Sequence, residues 1–442
     1  MFFPSRLRAI GAAVALCVGA PGLWAQTAAA PVLAQNPLIA SVVAPAAAPN
    51  PAAPSAAQPP SWAQALDAAW ARSAESAAAV AAAQSAGAEQ AAARAWLPGA
   101  PVLEVGWRTD QFNRNAGARE SELGVALPLW LPGQRLASAQ QAEAAAAVAQ
   151  AGASAQRLQL AHALLEAAAA VQQQQLALAL RTAEVEAMRQ LAADMQRLLA
   201  AGERARTDSL AAQAELLQAQ ALLQQERSEL QSAELQWHSL TGLSAIPPLE
   251  ALQAQAASGA DPTTTLAQHP LLREALARSK WAQRQLALVE RSRRAAPELQ
   301  TRWVQQVEAR GAAATQSLGL TLRIPLHSPA QHTPQLFAAQ GAYAQAQARQ
   351  QELERQLQAQ WAQQHAALAG LQPQIAHAAE RAGQLRERAA LIEKSFRSGE
   401  TALADWLRTR AAAAEAESAL QALRLQQQIA QARLQLSLGN LP

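Results

Sequence analysis

The side chains best suited to chemistry in this 442-residue chain are seven histidines, one cysteine and a matched pair of aspartates. The histidines are scattered at 162, 238, 269, 327, 332, 365 and 377. His327 and His332 come closest to a metal pair, but two imidazoles without nearby carboxylates fall short of the three or four ligands that zinc or copper sites use. There is no HExxH, no phosphate-binding glycine loop, no nucleophile elbow and no carboxylate pair in a plausible pocket. The expectation is a protein that is not an enzyme and has no resident metal or cofactor. The aspartates are more informative. Asp208 follows Gly202 by six residues, and Asp405 follows Gly399 by six. A carboxylate just after a glycine turn can cap the helix that begins there.

The equivalence of those places comes from an internal repeat. Pro101 and Trp107 in "PVLEVGW" recur as Pro297 and Trp303 in "PELQTRW", 196 residues later. Gly124 of "GVALPLWLPGQ" recurs as Gly319 of "GLTLRIPLHSPAQ", 195 later, and Pro128, Pro132 and Gly202 recur as Pro325, Pro329 and Gly399, each 197 later. Landmarks in one order at offsets of 195 to 197 residues mark a tandem duplication. Each unit opens with a helical segment (62–96; 264–294), passes through two runs of period-two alternation, and continues into a helix of nearly seventy residues (134–201; 331–398). That helix turns at Gly202 or Gly399 and returns as a shorter one (207–240; 401–438). Leu103, Val105 and Trp107 alternate with Glu104, Gly106 and Arg108, and Leu318, Leu320, Leu322 and Ile324 alternate with Ser317, Gly319, Thr321 and Arg323. Such alternation makes strands with one apolar and one polar face. The expected strands are 101–110, 119–130, 297–308 and 315–326, and the expected turns 201–206 and 397–401.

The composition suits long helices better than a thick core. Half the residues are hydrophobic but only 4% are aromatic, with Ala supplying much of the rest. Ala removes little apolar area from water, yet it is a strong helix former that lets helices approach closely. Met188, Leu191, Met195 and Leu198 recur at three and four spacing, the mark of a coiled-coil-like seam. The 36 basic and 33 acidic residues come almost into balance once Arg6 and Arg8 are set aside, so no nucleic-acid surface is implied. Residues 1–25 read as a signal peptide, with Arg6 and Arg8 before an apolar run and the only cysteine, Cys17, within it. Residues 26–60 form an Ala/Pro-rich leader without the means to pack. The repeats are then 61–243 and 262–442, with a linker at 244–261.

Four half-apolar strands in an exported chain require an explanation. No later stretch of about 20 apolar residues could cross a bilayer as a helix, and strands cross one only as a closed barrel. Four strands are too few, since single-chain barrels begin at eight. A membrane barrel would therefore need several copies. The alternative is a soluble sheet lying over a helix bundle. Trp107, Trp130 and Trp303, near strand ends, are candidates for interfacial aromatics.

The order of these segments resembles the TolC-like outer-membrane efflux proteins. It is carried by "LPLWLPGQ" and "IPLHSPAQ" after strands, "GERARTDSLAAQAELLQAQ" and "GETALADWLRTRAAAAEAE" after turns, and "LQWHSLTG" and "LQLSLG" at unit ends, over residues 62–439. The resemblance implies a mainly α chain with a small β part: two long helical hairpins and four strands. Three such chains would share a twelve-stranded outer-membrane barrel above a trimeric α-helical tunnel across the periplasm. It also implies a passive duct docked on a periplasmic adaptor and an inner-membrane pump of the resistance-nodulation-division type. The loops near Asn113 and Arg310 would face outside, and the turns with Gly202, Glu203, Arg204, Gly399 and Glu400 would meet the adaptor. Asp208 and Asp405 would ring the entrance. The approach from Arg293 to Leu299 is most similar to the heavy-metal branch, with drug efflux and protein secretion as other cargoes. A periplasmic adaptor or a coiled-coil scaffold is the rival reading.

Overall fold

The computed structural model describes residues 60–254 and 266–441. The signal peptide, nearly all of the leader, and residues 255–261 of the expected linker lie outside the described residues. The elements in chain order are α1 (Trp62–Arg72), α2 (Ala74–Arg94), β1 (Val102–Thr109), β2 (Arg119–Pro128), α3 (Gln134–Ala200), α4 (Arg206–Thr241), α5 (Glu250–Ala254), α6 (Pro270–Arg291), β3 (Glu298–Val307), β4 (Thr315–Arg323), α7 (Pro329–Arg397) and α8 (Leu403–Ser437). The strands are short, eight to ten residues each, and α3 and α7 end at the Gly202 and Gly399 turns. The opening helix differs: it breaks at Ser73, whose N–H closes α1 on the Trp70 carbonyl (3.1 Å) and whose hydroxyl accepts from the Ser76 N–H (3.1 Å) to start α2. One serine serves as both caps, so the chain bends without a glycine or proline to announce it.

The 67 residues of α3 and 69 of α7 each extend about 100 Å at 1.5 Å per residue, so neither could persist without neighbours. Shorter helices supply them, arranged end to end. Along α3 lie α2 and α6 over its first half and α4 over its second; along α7 lie α6 and then α8. Arg284 donates to Gln140 (3.0 Å) and Gln134 to Ser292 (3.1 Å), pairings that run α6 antiparallel to α3. Where the short helices meet, Trp62, Leu66, Leu158, Leu165, Trp237 and Leu436 form the larger of the buried clusters. The Trp62 indole donates to the Pro248 carbonyl (2.9 Å) and meets Trp237 edge-on at 6.4 Å. Leu249 and Leu252, expected in a linker, are buried in the same cluster. The connection between repeats is therefore part of the core.

His269 seals the opposite junction. It is 2% exposed, and its Nδ1 accepts from the Leu271 N–H (3.2 Å), capping α6. Burial, with His162 nearby, pushes its imidazole down to about 4, so the ring is neutral and Nδ1 is free to accept.

The four strands make one antiparallel sheet in the order β1-β2-β3-β4. The two hairpins, far apart in sequence, are joined by a ten-pair ladder from Arg119 opposite Val307 to Pro128 opposite Glu298. The register puts side chains in two classes. Leu103, Val125, Thr301 and Leu320 form one rung, and Val105, Leu123, Trp303 and Leu318 the next, all on one face because side chains alternate across a strand. The other face carries Glu104, Gly124, Arg302 and Gly319 on one rung. Among the described residues no helix covers the sheet. Leu320 is 71% exposed, and every residue of β4 is open to its surroundings.

Candidate functional site

Two regions of the fold have the geometry of a functional site: the turns at the far end of the helical hairpins and the uncovered sheet. At the turns both long helices end the same way. Gly202 (φ +77°) and Gly399 (φ +83°) adopt the left-handed conformation. The Glu203 N–H reaches back to the Leu198 carbonyl (2.9 Å) and that of Gly202 to Leu199 (3.0 Å); Glu400 to Ser395 (3.0 Å) and Gly399 to Phe396 (3.1 Å) repeat the pattern. These are paired Schellman closures, in which glycine meets the positive φ without a Cβ clash.

The turns are tied to each other by one stack. The Arg204 guanidinium donates through Nη2 to the Phe396 carbonyl (3.1 Å) and lies 4.8 Å over the Phe396 ring. Phe396 stacks on Trp406 (centroids 5.4 Å, planes 18° apart), and Arg410 covers the far face of the pair at 5.3 Å from Trp406. Burial lowers the pKa of Arg410 from its ordinary value. Two arginines thus bracket two stacked rings contributed by α7 and α8, and one arginine comes from the turn of the other repeat. Such contacts are each worth about 0.5–2 kcal/mol.

On the sheet, the polar face is stitched by ion pairs: Arg302 to Glu122 (2.6 Å), Arg108 to Glu120 (3.1 Å) and Arg323 to Glu298 (3.3 Å). Gln300 donates to Glu104. Glycines sit between these side chains. A Cβ at Gly106 would lie 3.3 Å from the Glu122 Cβ, and one at Gly124 would lie 3.6 Å from the Glu104 side chain. The carboxylate side chains therefore lie along the sheet in notches that the glycines leave.

No family model matches the chain, and no curated protein matches it. Solved structures do. The fold is similar to that of CusC, from a study of folding and transmembrane channel formation (TM-score 0.71, 15% identity, 86% of this chain and 92% of that one). It is similar to the outer membrane protein VceC of Vibrio cholerae (TM-score 0.67, 17% identity, 86% and 96%) and to a membrane protein from Pseudomonas aeruginosa (TM-score 0.68, 19% identity, 88% and 98%). The chain has the TolC-like fold.

Within this TolC-like fold the expected site residues take definite places. Gly202, Glu203, Gly399 and Glu400 form the two exposed turns. Arg204 does not project as a free surface charge, because its guanidinium finds an acceptor and a ring on the neighbouring hairpin. Asp208 and Asp405 are the third residues of α4 and α8, but the N-caps are Ala205 and Ala402 and neither aspartate makes a side-chain cap hydrogen bond. Their favourable contact with the helix is through its dipole alone; Asp405 also accepts from Arg408 (3.2 Å). Trp107 and Trp303 share the apolar face, Trp303 in mid-strand rather than near an end, while Trp130 lies just past β2 and donates to the Ala95 carbonyl (3.2 Å). Phe396, Trp406 and Arg410 were not singled out by motif. Their signal was scarcity: in a chain that is 4% aromatic, two rings flank the Gly399 turn. Among the described residues, no group of three or more potential ligands could hold a metal.

Proposed function

We propose that this protein is the outer-membrane duct of a tripartite efflux system. The observation that carries the reading is the sheet: four strands with an apolar face and an ion-paired polar face, both uncovered, whose outer strands β1 and β4 each have one neighbour. A sheet folded over a helix bundle would hide one face, and here neither is hidden. Joining β4 of one copy to β1 of the next in a ring of three gives twelve strands, which satisfies every edge and turns the apolar rungs toward lipid. A helix spans the bilayer nowhere among the described residues.

The helical hairpins then extend into the periplasm and bring the Gly202 and Gly399 turns to an entrance that meets an adaptor and an inner-membrane pump. Transport is passive in the duct itself, driven by the pump, and opening separates the hairpins at their turns. Asp208 and Asp405 sit beside that entrance and favour cations. The likeness to the heavy-metal branch makes metal ions the first cargo to assay, ahead of drugs, and residues 1–25 act as the signal that exports the precursor to the periplasm, from which the barrel inserts. The adaptor and scaffold readings provide no role for a sheet with two uncovered faces and two open edges.

The test is fractionation followed by reconstitution. A trimer in the outer-membrane fraction that resists SDS until heated, and that conducts ions in a planar bilayer, is the expected result. A soluble monomer without conductance would overturn the proposal, and a metal and drug sensitivity panel on a deletion strain identifies the cargo.

A further inference from the structure

The chain's charges are nearly balanced overall, yet not at the rim where the sheet meets the helices. The segments just below the sheet, 90–101, 129–142, 285–297 and 324–342, contain five arginines and a single acid, Glu290. Arg94, Arg135, Arg291, Arg293 and Arg294 are all exposed, and none meets a carboxylate among the described residues. This contrasts with the sheet directly above, where Arg108, Arg302 and Arg323 are each paired.

The arginines are also contiguous in space. Arg135 Nη2 donates to the Arg94 carbonyl (2.7 Å). The Arg291 guanidinium lies over Gly133, 3.6 Å from where a Cβ would be, two residues before Arg135. Arg293 Nε donates to the Glu290 carbonyl (3.1 Å). The partners of Arg135 and Arg293 are neutral carbonyls, and none of the five arginines is in an ion pair among the described residues, so their charges remain uncompensated. Depth follows from the ladder. It reaches down to the Leu129 N–H bonded to the Pro297 carbonyl (2.7 Å), and Arg294 is only three residues beyond, about 10 Å at full extension. That is within side-chain reach of the headgroup layer bordering an apolar band. Trp96, 89% exposed, stands two residues from Arg94, an amphipathic ring at the same level.

We propose that this rim is a binding belt for the phosphate groups of anionic phospholipids in the periplasmic leaflet, with Arg94, Arg135, Arg291, Arg293 and Arg294 as its ligands. The inference rests on the membrane placement proposed above. Guanidinium forks match phosphate oxygens in pairs, and each basic residue near an anionic surface contributes an attraction that dies away within a Debye length. The belt fixes the height of the sheet in the bilayer from below.

The test uses the full-length trimer purified from outer membranes, with lipid retention read by native mass spectrometry and binding read by melting in titrations of phosphatidylglycerol, phosphatidylcholine or inorganic phosphate. The wild type is expected to prefer phosphatidylglycerol over phosphatidylcholine at least tenfold, and the triple variant Arg135→Gln, Arg291→Gln, Arg293→Gln to discriminate less than twofold while keeping its trimer and its conductance. Equal binding of both lipids by the wild type, or full preference in the triple variant, overturns the belt. A melting shift of the same size with inorganic phosphate also overturns it, since the site would then be a simple anion site. Conductance separates the two proposals: a conducting trimer without lipid preference refutes the belt alone, and a chain that neither trimerises nor conducts refutes the duct.

Discussion

Replacing Arg204 by alanine removes the only member of the turn stack that comes from the first repeat, and the size of the effect can be worked from its contacts. The side chain makes one hydrogen bond from a charged donor, about 1.5–3 kcal/mol where desolvated, and one cation–π contact, about 0.5–2 kcal/mol. Arg204 is half-buried, so solvent screens part of each, and about 2 kcal/mol per chain is a reasonable net value. A change of 2 kcal/mol shifts an equilibrium about 30-fold. If opening separates the first turn from α7, Arg204→Ala lowers the cost of opening in each copy by that amount. Single-channel recording of the reconstituted trimer, without adaptor, should show the open fraction rising more than tenfold. Arg204→Lys, which keeps the cation but loses the fork, should fall between wild type and alanine. Arg206, exposed at the start of α4, is the matched control, and its alanine variant should behave as wild type. An Arg204→Ala channel whose open fraction stays within twofold of the wild type would refute the idea that this stack holds the entrance shut.

Other substitutions separate the two faces of the sheet and the roles of the turn acids. Leu320→Arg places a charge on the apolar face at a cost of about 2–4 kcal/mol near the bilayer centre, so the heat-modifiable trimer should largely disappear from the outer membrane, whereas Thr321→Arg, one residue on and facing the ion pairs, should leave it intact. Asp208→Ala with Asp405→Ala should cost less than about 1 kcal/mol each, because Asp208 loses only its dipole contact and Asp405 loses that and an exposed ion pair with Arg408, yet should reduce cation selectivity measured by reversal potential; unchanged selectivity would rule out the entrance ring. Acid should loosen the helical junction. The folded-state pKa of His269 lies near 4, below its ordinary 6.5, so its contribution is present above pH 6.5 and is lost as pH falls toward 4. The limit is about 3 kcal/mol per chain, and His162, lowered chiefly by the same burial, adds to it. Melting curves of His269→Asn, which keeps a capping acceptor without a titrating ring, should depend less steeply on pH across that window.

The repeat made the architecture legible because it fixed equivalent positions before any element was assigned. Strand alternation and the glycines at 202 and 399 then placed β1–β4 and both turns within a few residues, since period two and positive φ are local requirements. What escaped was decided by tertiary contacts. Ser73 interrupts the first helix because its hydroxyl can cap in both directions, a possibility that alanine-rich neighbours do not reveal. Leu249 and Leu252 enter the core through a segment whose local composition reads as a connector. Arg204 looks like a solvated turn residue until Phe396, 192 positions away, is brought beside it. Asp208 and Asp405 lie in the first turns of their helices, but proximity to an N-terminus is not a hydrogen bond, and alanine holds the cap position in both cases.

The glycine notches on the polar face bear on the width of the proposed barrel. A charged side chain standing upright from each strand would narrow the passage from every direction at once. Here Glu104 and Glu122 lie along the wall in the spaces beside Gly124 and Gly106, and their charged ends are engaged by Gln300 and Arg302. In the proposed barrel these two carboxylates would therefore take up little of the bore. Filling a single notch, as in Gly124→Leu, would lift Glu104 into the passage in all three copies and convert a wide conduit into a filter.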